Sequence, residues 1–418
     1  MFSALVNAWK IPELRKKILF TLGMLAVFRL GSQIPVPGVN RELLDTMFTS
    51  DFFNWMNILS GGSFKELTVF AMGIIPYINA SIIVQLLTMV VPYFERLARE
   101  GQEGRKKMGQ WIRYGAVVLG AAQALVMSFY LQSAMLSPGA WSIISCTVIL
   151  TAGTAFLMWL GEQITDKGIG NGISLIIFAG IISRLPAGAI TLFNYAKSGE
   201  VNIIAIILFL VIAVLMIAGV IAVQEGQRRI TVQYSKRVIG RKVYGGQSTH
   251  IPMRINQAGV IPIIFAMALL TMPSVIFGLI DSNGPVIAWF TRVLSYQHPV
   301  YIITYALLIF LFTYFYTAAT FNTVDVADNM RKNGGFIPGL RPGRPTAEYL
   351  DKVLSRLTFS GATFLTIIAL LPSILMAVSG MNLYFGGTSL LIAVGVALDT
   401  MKQIESQLLM RHYQGFMK

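Results

Sequence analysis

One cysteine, three histidines and only 19 acidic residues are spread over 418 positions. The single thiol, Cys146, excludes an internal disulfide and any cysteine-cluster metal site, and the apolar run around it reads as packing. His250, His298 and His412 fall in loops or the tail, so no H-E-x-x-H and no in-span histidine is available. Paired aspartates within an apolar run are missing too, which argues against an intramembrane protease. Apart from Arg29, the interiors of the apolar runs lack charge, whereas a secondary transporter normally places Asp, Glu, Lys or His there for ion coupling. No phosphate-cradling loop is present either. Gly168, Gly170 and Gly172 supply backbone freedom rather than a P-loop, so neither nucleotide hydrolysis nor a cofactor is expected.

What remains is apolar. Hydrophobic residues make up 55% and charged residues 12%, about half the charged fraction of a soluble domain. With a mean hydropathy of +0.66, the chain reads as a polytopic membrane protein. Ten spans are predicted, at 18–36, 69–91, 114–133, 143–161, 172–187, 202–223, 257–280, 300–320, 358–378 and 386–402. The opening MFSALVNAWKIPELRKK leads straight into the first span, without the pattern of a cleavable signal. If the N-terminus is cytoplasmic, only Arg41, Lys65, Arg184, Lys197 and Arg292 of the 33 basic residues fall outside, Arg29 lies in a span, and 27 lie inside. Both termini are therefore expected in the cytoplasm, and the net charge of +14 belongs to one face. Arg29 is expected to hold an ion pair or a backbone carbonyl deep in its span.

Residues 51–92 are the stretch around which the chain is organised. From Asp51 to Phe64 it is apolar enough to enter a membrane, but fourteen helical residues reach only ~21 Å against a hydrocarbon core of ~30 Å. Gly61 and Gly62 then break it, and 69–91 is long enough to cross although Pro76, Asn79 and Gln85 lie inside. Two placements suit the short segment. It is re-entrant, folded into a protein-lined cavity, or it is an amphipathic helix on the outer surface.

An internal repeat relates the two halves, 1–192 and 193–418. GIIPYI at 73–78 recurs as GVIPII at 259–264, and GISLIIFAG at 172–180 as GTSLLIAVG at 387–395. Both pairs are five predicted spans apart, so the copies cross in opposite directions, as in inverted-repeat proteins with a working site between the halves. Ile78 then corresponds to Ile264 and Ile177 to Ile392. One turn before the first-half members come Ile74 and Ile173. The six isoleucines are either ordinary packing or a narrow apolar collar that excludes a water column yet widens.

Three predicted cytoplasmic loops carry the remaining signal. Residues 92–113 are basic. Residues 224–256 alternate like a β-hairpin, RITVQY then KVYGGQ, and include Arg237, Arg241 and Lys242. Residues 321–357 contain NGGFIPGLRPGRPT, a turn presenting Arg341 and Arg344. Long basic loops on one face suit a docking surface for an acidic partner.

Five blocks in order, SGGSFKELTVFAMGIIPYINASIIVQLL, FLMWLGEQITDKGIGNGISLIIFAG, GGQSTHIPMRINQAGVIPIIF, GGFIPGLRPG and GGTSLLIAVGVALD, make the whole chain similar to the SecY family of protein-conducting channels. The resemblance implies an all-α membrane protein, ten transmembrane helices in two inverted-repeat halves around a central pore, with a re-entrant plug and long cytoplasmic loops. It places the plug at Trp55, Met56, Asn57, Ile58, Leu59, Ser60, Gly61, Gly62, Ser63 and Phe64. The pore ring matches Ile74, Ile78, Ile173, Ile177, Ile264 and Ile392. A lateral gate to lipid would lie between spans 69–91 and 114–133 on one side and 257–280 and 300–320 on the other, with Asn79 and Gln85 on its first span. Implied partners are the small membrane subunits SecE and SecG, the motor SecA or the ribosome at Arg341 and the long loops, and signal sequences with unfolded chains as substrate. The implied location is the bacterial cytoplasmic membrane.

Overall fold

The computed structural model describes residues 8–40, 62–64, 66–198, 203–234, 237–239, 242–244, 248–279, 298–379 and 387–416. Long apolar helices dominate it, because lipid offers no hydrogen bonds and only a closed backbone ladder satisfies the peptide groups there. The first half contributes α1 (Pro12–Gly31), α2 (Ile75–Val90), α3 (Pro92–Arg99), α4 (Gln102–Tyr130), α5 (Ala140–Lys167), α6 (Gly172–Ile182) and α7 (Leu185–Ser198). The second contributes α8 (Ile203–Glu225), α9 (Ile261–Leu279), α10 (Pro299–Thr320), α11 (Thr323–Lys332), α12 (Arg344–Ser379) and α13 (Gly387–Phe416). Among the described residues, six helices are long and apolar enough to span, or seven if α2 and α3, bent by 100° at Pro92, count as one. The sequence-based count of ten is larger.

Several boundaries differ from expectation. The stretch 69–91 is helical only from Ile75, because residues 66–73 form successive turns whose amides bond back to Ser63, Phe64 and Ile34. Arg29 lies in the last turn of α1, where basic charge suits the helix C-terminus, and its guanidinium donates to Ser32 Oγ at 3.4 Å. Helix α4 begins twelve residues before the predicted 114, inside the basic loop.

The repeat is visible in the backbone. Gly73 (φ +57°) and Gly259 (φ +65°) both adopt the left-handed conformation that glycine tolerates, and in each copy a helix starts two residues later with proline in its first turn. The second pair behaves alike: α6 opens at Gly172 and α13 at Gly387.

Helices α1, α2, α4, α5 and α6 pack with one another, as do α8, α9, α10, α12 and α13. The two groups meet chiefly along α6 and α13, with α4 also touching α9. At one end of the bundle sits a three-stranded antiparallel sheet, β4 (Ser248–Arg254), β1 (Gln227–Tyr234) and β5 (Gly335–Phe336). A two-stranded tip, β2 (Arg237–Ile239) and β3 (Lys242–Tyr244), accompanies it. The hairpin therefore exists, but RITVQY pairs with STHIPMR, not with KVYGGQ. Side-chain alternation selects that partner: Ile230, Val232 and Met253 turn to one face and bury against Leu350, Val353 and Leu354 of α12.

Candidate functional site

All six isoleucines singled out from the repeat belong to one apolar cluster at the meeting of the two halves. Ile78 and Ile264 are each the fourth residue of their helix, and Ile177 and Ile392 each the sixth. Ile74 caps α2, and its carbonyl accepts the Ile78 amide at 3.1 Å, so those two lie one turn apart, as do Ile173 and Ile177 on α6. Ile74, Ile177 and Ile392 are buried, and Ile78, Ile173 and Ile264 half-buried. Four helix starts are thus converged on a single aliphatic knot. Phe28 and Phe70 flank it, ring centroids 6.3 Å apart.

The start of α6 is fixed by close contact. A Cβ on Gly161 would come within 2.6 Å of Ile173 Cδ1, and one on Gly172 would strike the Gly161 carbonyl. Thr165 Oγ1 accepts the Gly172 amide at 2.9 Å, and Asn171 caps the helix on Ser174 N at 3.2 Å.

A polar cavity of about 520 Å³ abuts the knot. Val260 and Val396, members of the apolar cluster, line it together with Gln224, Arg254, Asn256, Asp399 and Gln403. A second crevice, of about 670 Å³, separates the end of α2 and α3 (Thr88, Met89, Glu95, Arg99) from α10 and α12 (Tyr314, Thr317, Asp351). Asn79 and Gln85 do not share a face of α2. Six residues apart, they point about 120° from each other, and Asn79 is buried while Gln85 is exposed.

The two long loops are joined through the sheet, since β5 pairs with Gln233 and Tyr234 of β1. Arg341 is exposed in a turn whose bends fall at Gly339 (φ +84°) and Gly343 (φ +106°), and its carbonyl accepts Thr346 Oγ1 at 2.8 Å. Arg344 is exposed beside Glu348, 3.1 Å away. Arg237 and Lys242 lie on the two-stranded tip, while Arg241 lies outside the described residues. Of the predicted plug, Trp55 to Gly61 lie outside them as well. Gly62, Ser63 and Phe64 are described, and Phe64 is buried with Val36, Leu67 and Met135 at the end of the bundle opposite the sheet.

The polar cavity was not read from the sequence. Gln224, Asn256 and Gln403 come from three distant segments, the end of α8, the loop before α9 and the middle of α13, and each alone resembles an ordinary polar residue.

A multi-helix bundle of apolar spans, with an aliphatic knot between two related halves and a polar cavity leading to it, defines a channel-like membrane protein. The SecY family model matches residues 68–401, and the chain belongs to that family. It is 49% identical to "Protein translocase subunit SecY" of Halalkalibacterium halodurans, with all of both chains covered. With the protein of the same name from Thermotoga maritima it shares 46% identity, covering 100% of this chain and 98% of the relative. Its fold matches a solved structure described as "The structure of a protein conducting channel", with a TM-score of 0.68, 18% identity and 96% of each chain covered. It also matches Sec61 in a canine ribosome-channel complex, with a TM-score of 0.64, 17% identity and the same coverage.

Proposed function

We propose that this chain is the pore-forming subunit of a protein translocase, a passive gated channel for unfolded polypeptides rather than an enzyme. The observation that carries this reading is the convergence of the six isoleucines on one apolar cluster that shares Val260 and Val396 with a polar cavity. An aliphatic constriction dewets and so resists ions, while flexible side chains spread around a passing chain. Ile74, Ile78, Ile173, Ile177, Ile264 and Ile392 form this collar. The crevice between α2 and α10 is the lateral gate through which apolar segments pass to lipid, and Asn79 and Gln85 lie on the gate's first helix, before the crevice residues Thr88 and Met89.

In this reading the sheet end faces the cytoplasm of a bacterium, both termini included, and the halves 1–192 and 193–418 are an inverted repeat. Arg237, Arg241, Lys242, Arg341 and Arg344 receive the motor SecA or the ribosome. SecE and SecG cover the exposed helix faces. The segment from Trp55 to Phe64 is the plug. Reconstituted with these partners and the motor, the chain is expected to admit an unfolded secretory polypeptide into vesicles, as measured by protease protection. Vesicles that never accumulate the substrate would refute the assignment. Deleting 55–62 is expected to leave a translocating but leakier channel; unchanged ion retention would show that the segment is not a seal.

A further inference from the structure

The loop before α6 is tied to both halves of the molecule. Ile169 donates its amide to Thr21 Oγ1 of α1 at 3.0 Å, and Gly170 donates its own to Gln403 Oε1 of α13 at 3.0 Å. Gly170 itself is buried in the left-handed conformation (φ +91°), and a Cβ there would lie 3.2 Å from Thr400 Oγ1 and 2.8 Å from Leu175 Cδ1. The loop backbone is therefore pressed against α13, and Gln403 satisfies an amide that has no room to turn elsewhere. Three residues further on stands Ile173, and one turn beyond it Ile177.

We infer that Gln403 is a positioning residue for the collar: by holding the Gly170 amide it sets where α6 begins relative to α13, and so where Ile173 and Ile177 sit relative to Ile392. Thr21, Thr165 and Asn171 fasten the same start from within the first half. Gln403 fastens it from the second. When the halves separate, this hydrogen bond is the directional contact in the α6–α13 seam that must break or carry α6 along, which makes it a latch on the constriction. The inference rests on the collar reading given above.

Gln403 lies on an exposed flank of α13, so replacing it with methionine keeps chain length and helix propensity while removing the amide, and with it the acceptor of the Gly170 bond. Gln403→Glu retains an oxygen at the same reach. The test uses the full chain with its membrane partners, in lipid. Deuterium exchange over the 166–172 peptide reads the latch directly, and ion conductance across a planar bilayer reads the collar. In Gln403→Met, the Gly170 amide is expected to exchange about tenfold faster than in the parent. Conductance at rest rises with it, and Gln403→Glu returns both toward the parent value.

Unchanged exchange in Gln403→Met overturns the latch, whatever the conductance does. Faster exchange with unchanged conductance overturns its positioning role. In that case the collar still stands or falls by its own four-isoleucine variant.

Discussion

A channel in which Ile78, Ile177, Ile264 and Ile392 are all replaced by glycine is expected to leak ions at rest while still translocating protein. The four residues come from four helices and meet in one cluster, so on the collar reading their removal strips the constriction from all four helices at once. The space left is too wide to stay dry and too weakly lined to close by relaxation. A rise of an order of magnitude or more in resting conductance across planar bilayers is expected. The same cluster also holds the halves together, and truncating a buried isoleucine costs about 2–5 kcal/mol, which applies to Ile177 and Ile392, with less at half-buried Ile78 and Ile264. Thermal stability should fall in parallel. The corresponding four Ile→Val exchanges, at about 0.5–1.5 kcal/mol each, should conduct little more than the parent. Parent-like conductance in the correctly assembled glycine variant would remove the collar from the mechanism.

Charge reversal at Arg341 should act on docking alone. The side chain is exposed, and its turn is held by backbone features, the Thr346 hydroxyl on the 341 carbonyl and the bends at Gly339 and Gly343. Among the described residues, no hydrogen bond or ion pair is made by the guanidinium. Arg341→Glu is therefore expected to leave membrane assembly and melting temperature near the parent values. Motor-driven translocation should drop by tenfold or more, the scale on which a lost charge contact at an interface is felt. Arg344→Glu is a useful companion, since it meets Glu348 one turn on and costs a few tenths of a kcal/mol of helix stability through like-charge repulsion. Normal translocation through Arg341→Glu channels would contradict direct contact. If raised salt makes the parent behave as the variant does, the residue steers its partner diffusely.

Much of this site was legible in the sequence because the repeat is local. The six-residue motif specifies a helix start, a proline and an isoleucine at fixed offsets, and the nine-residue motif a helix start and an isoleucine; the helix starts at 75 and 261 and at 172 and 387 carry those offsets into space. Hydropathy found the spans but not their ends. A window averages over the turns at 66–73 and over the amphipathic beginning of α4, where backbone hydrogen bonding rather than apolarity decides. Strand pairing was misread for a similar reason. KVY and STHIPMR both alternate, and only the apolar face of α12, about a hundred residues downstream, selects the second. Least legible were the cavity and the Gly170–Gln403 bond, where each partner is unremarkable until the chain brings them together.

That last bond also has a place in time. Its partners are 233 residues apart, so Gln403 leaves the ribosome well after Gly170 has done so. At about 5–20 residues per second, the interval is on the order of 10–50 s. Thr21, by contrast, is already made when Ile169 appears, and Thr165 lies only seven residues before Gly172. During synthesis the first half can therefore fasten α6 to its own helices, while the amide that faces the second half waits for a residue not yet born. On the latch reading, the newborn α6 stays untied to the second half until α13 has been made.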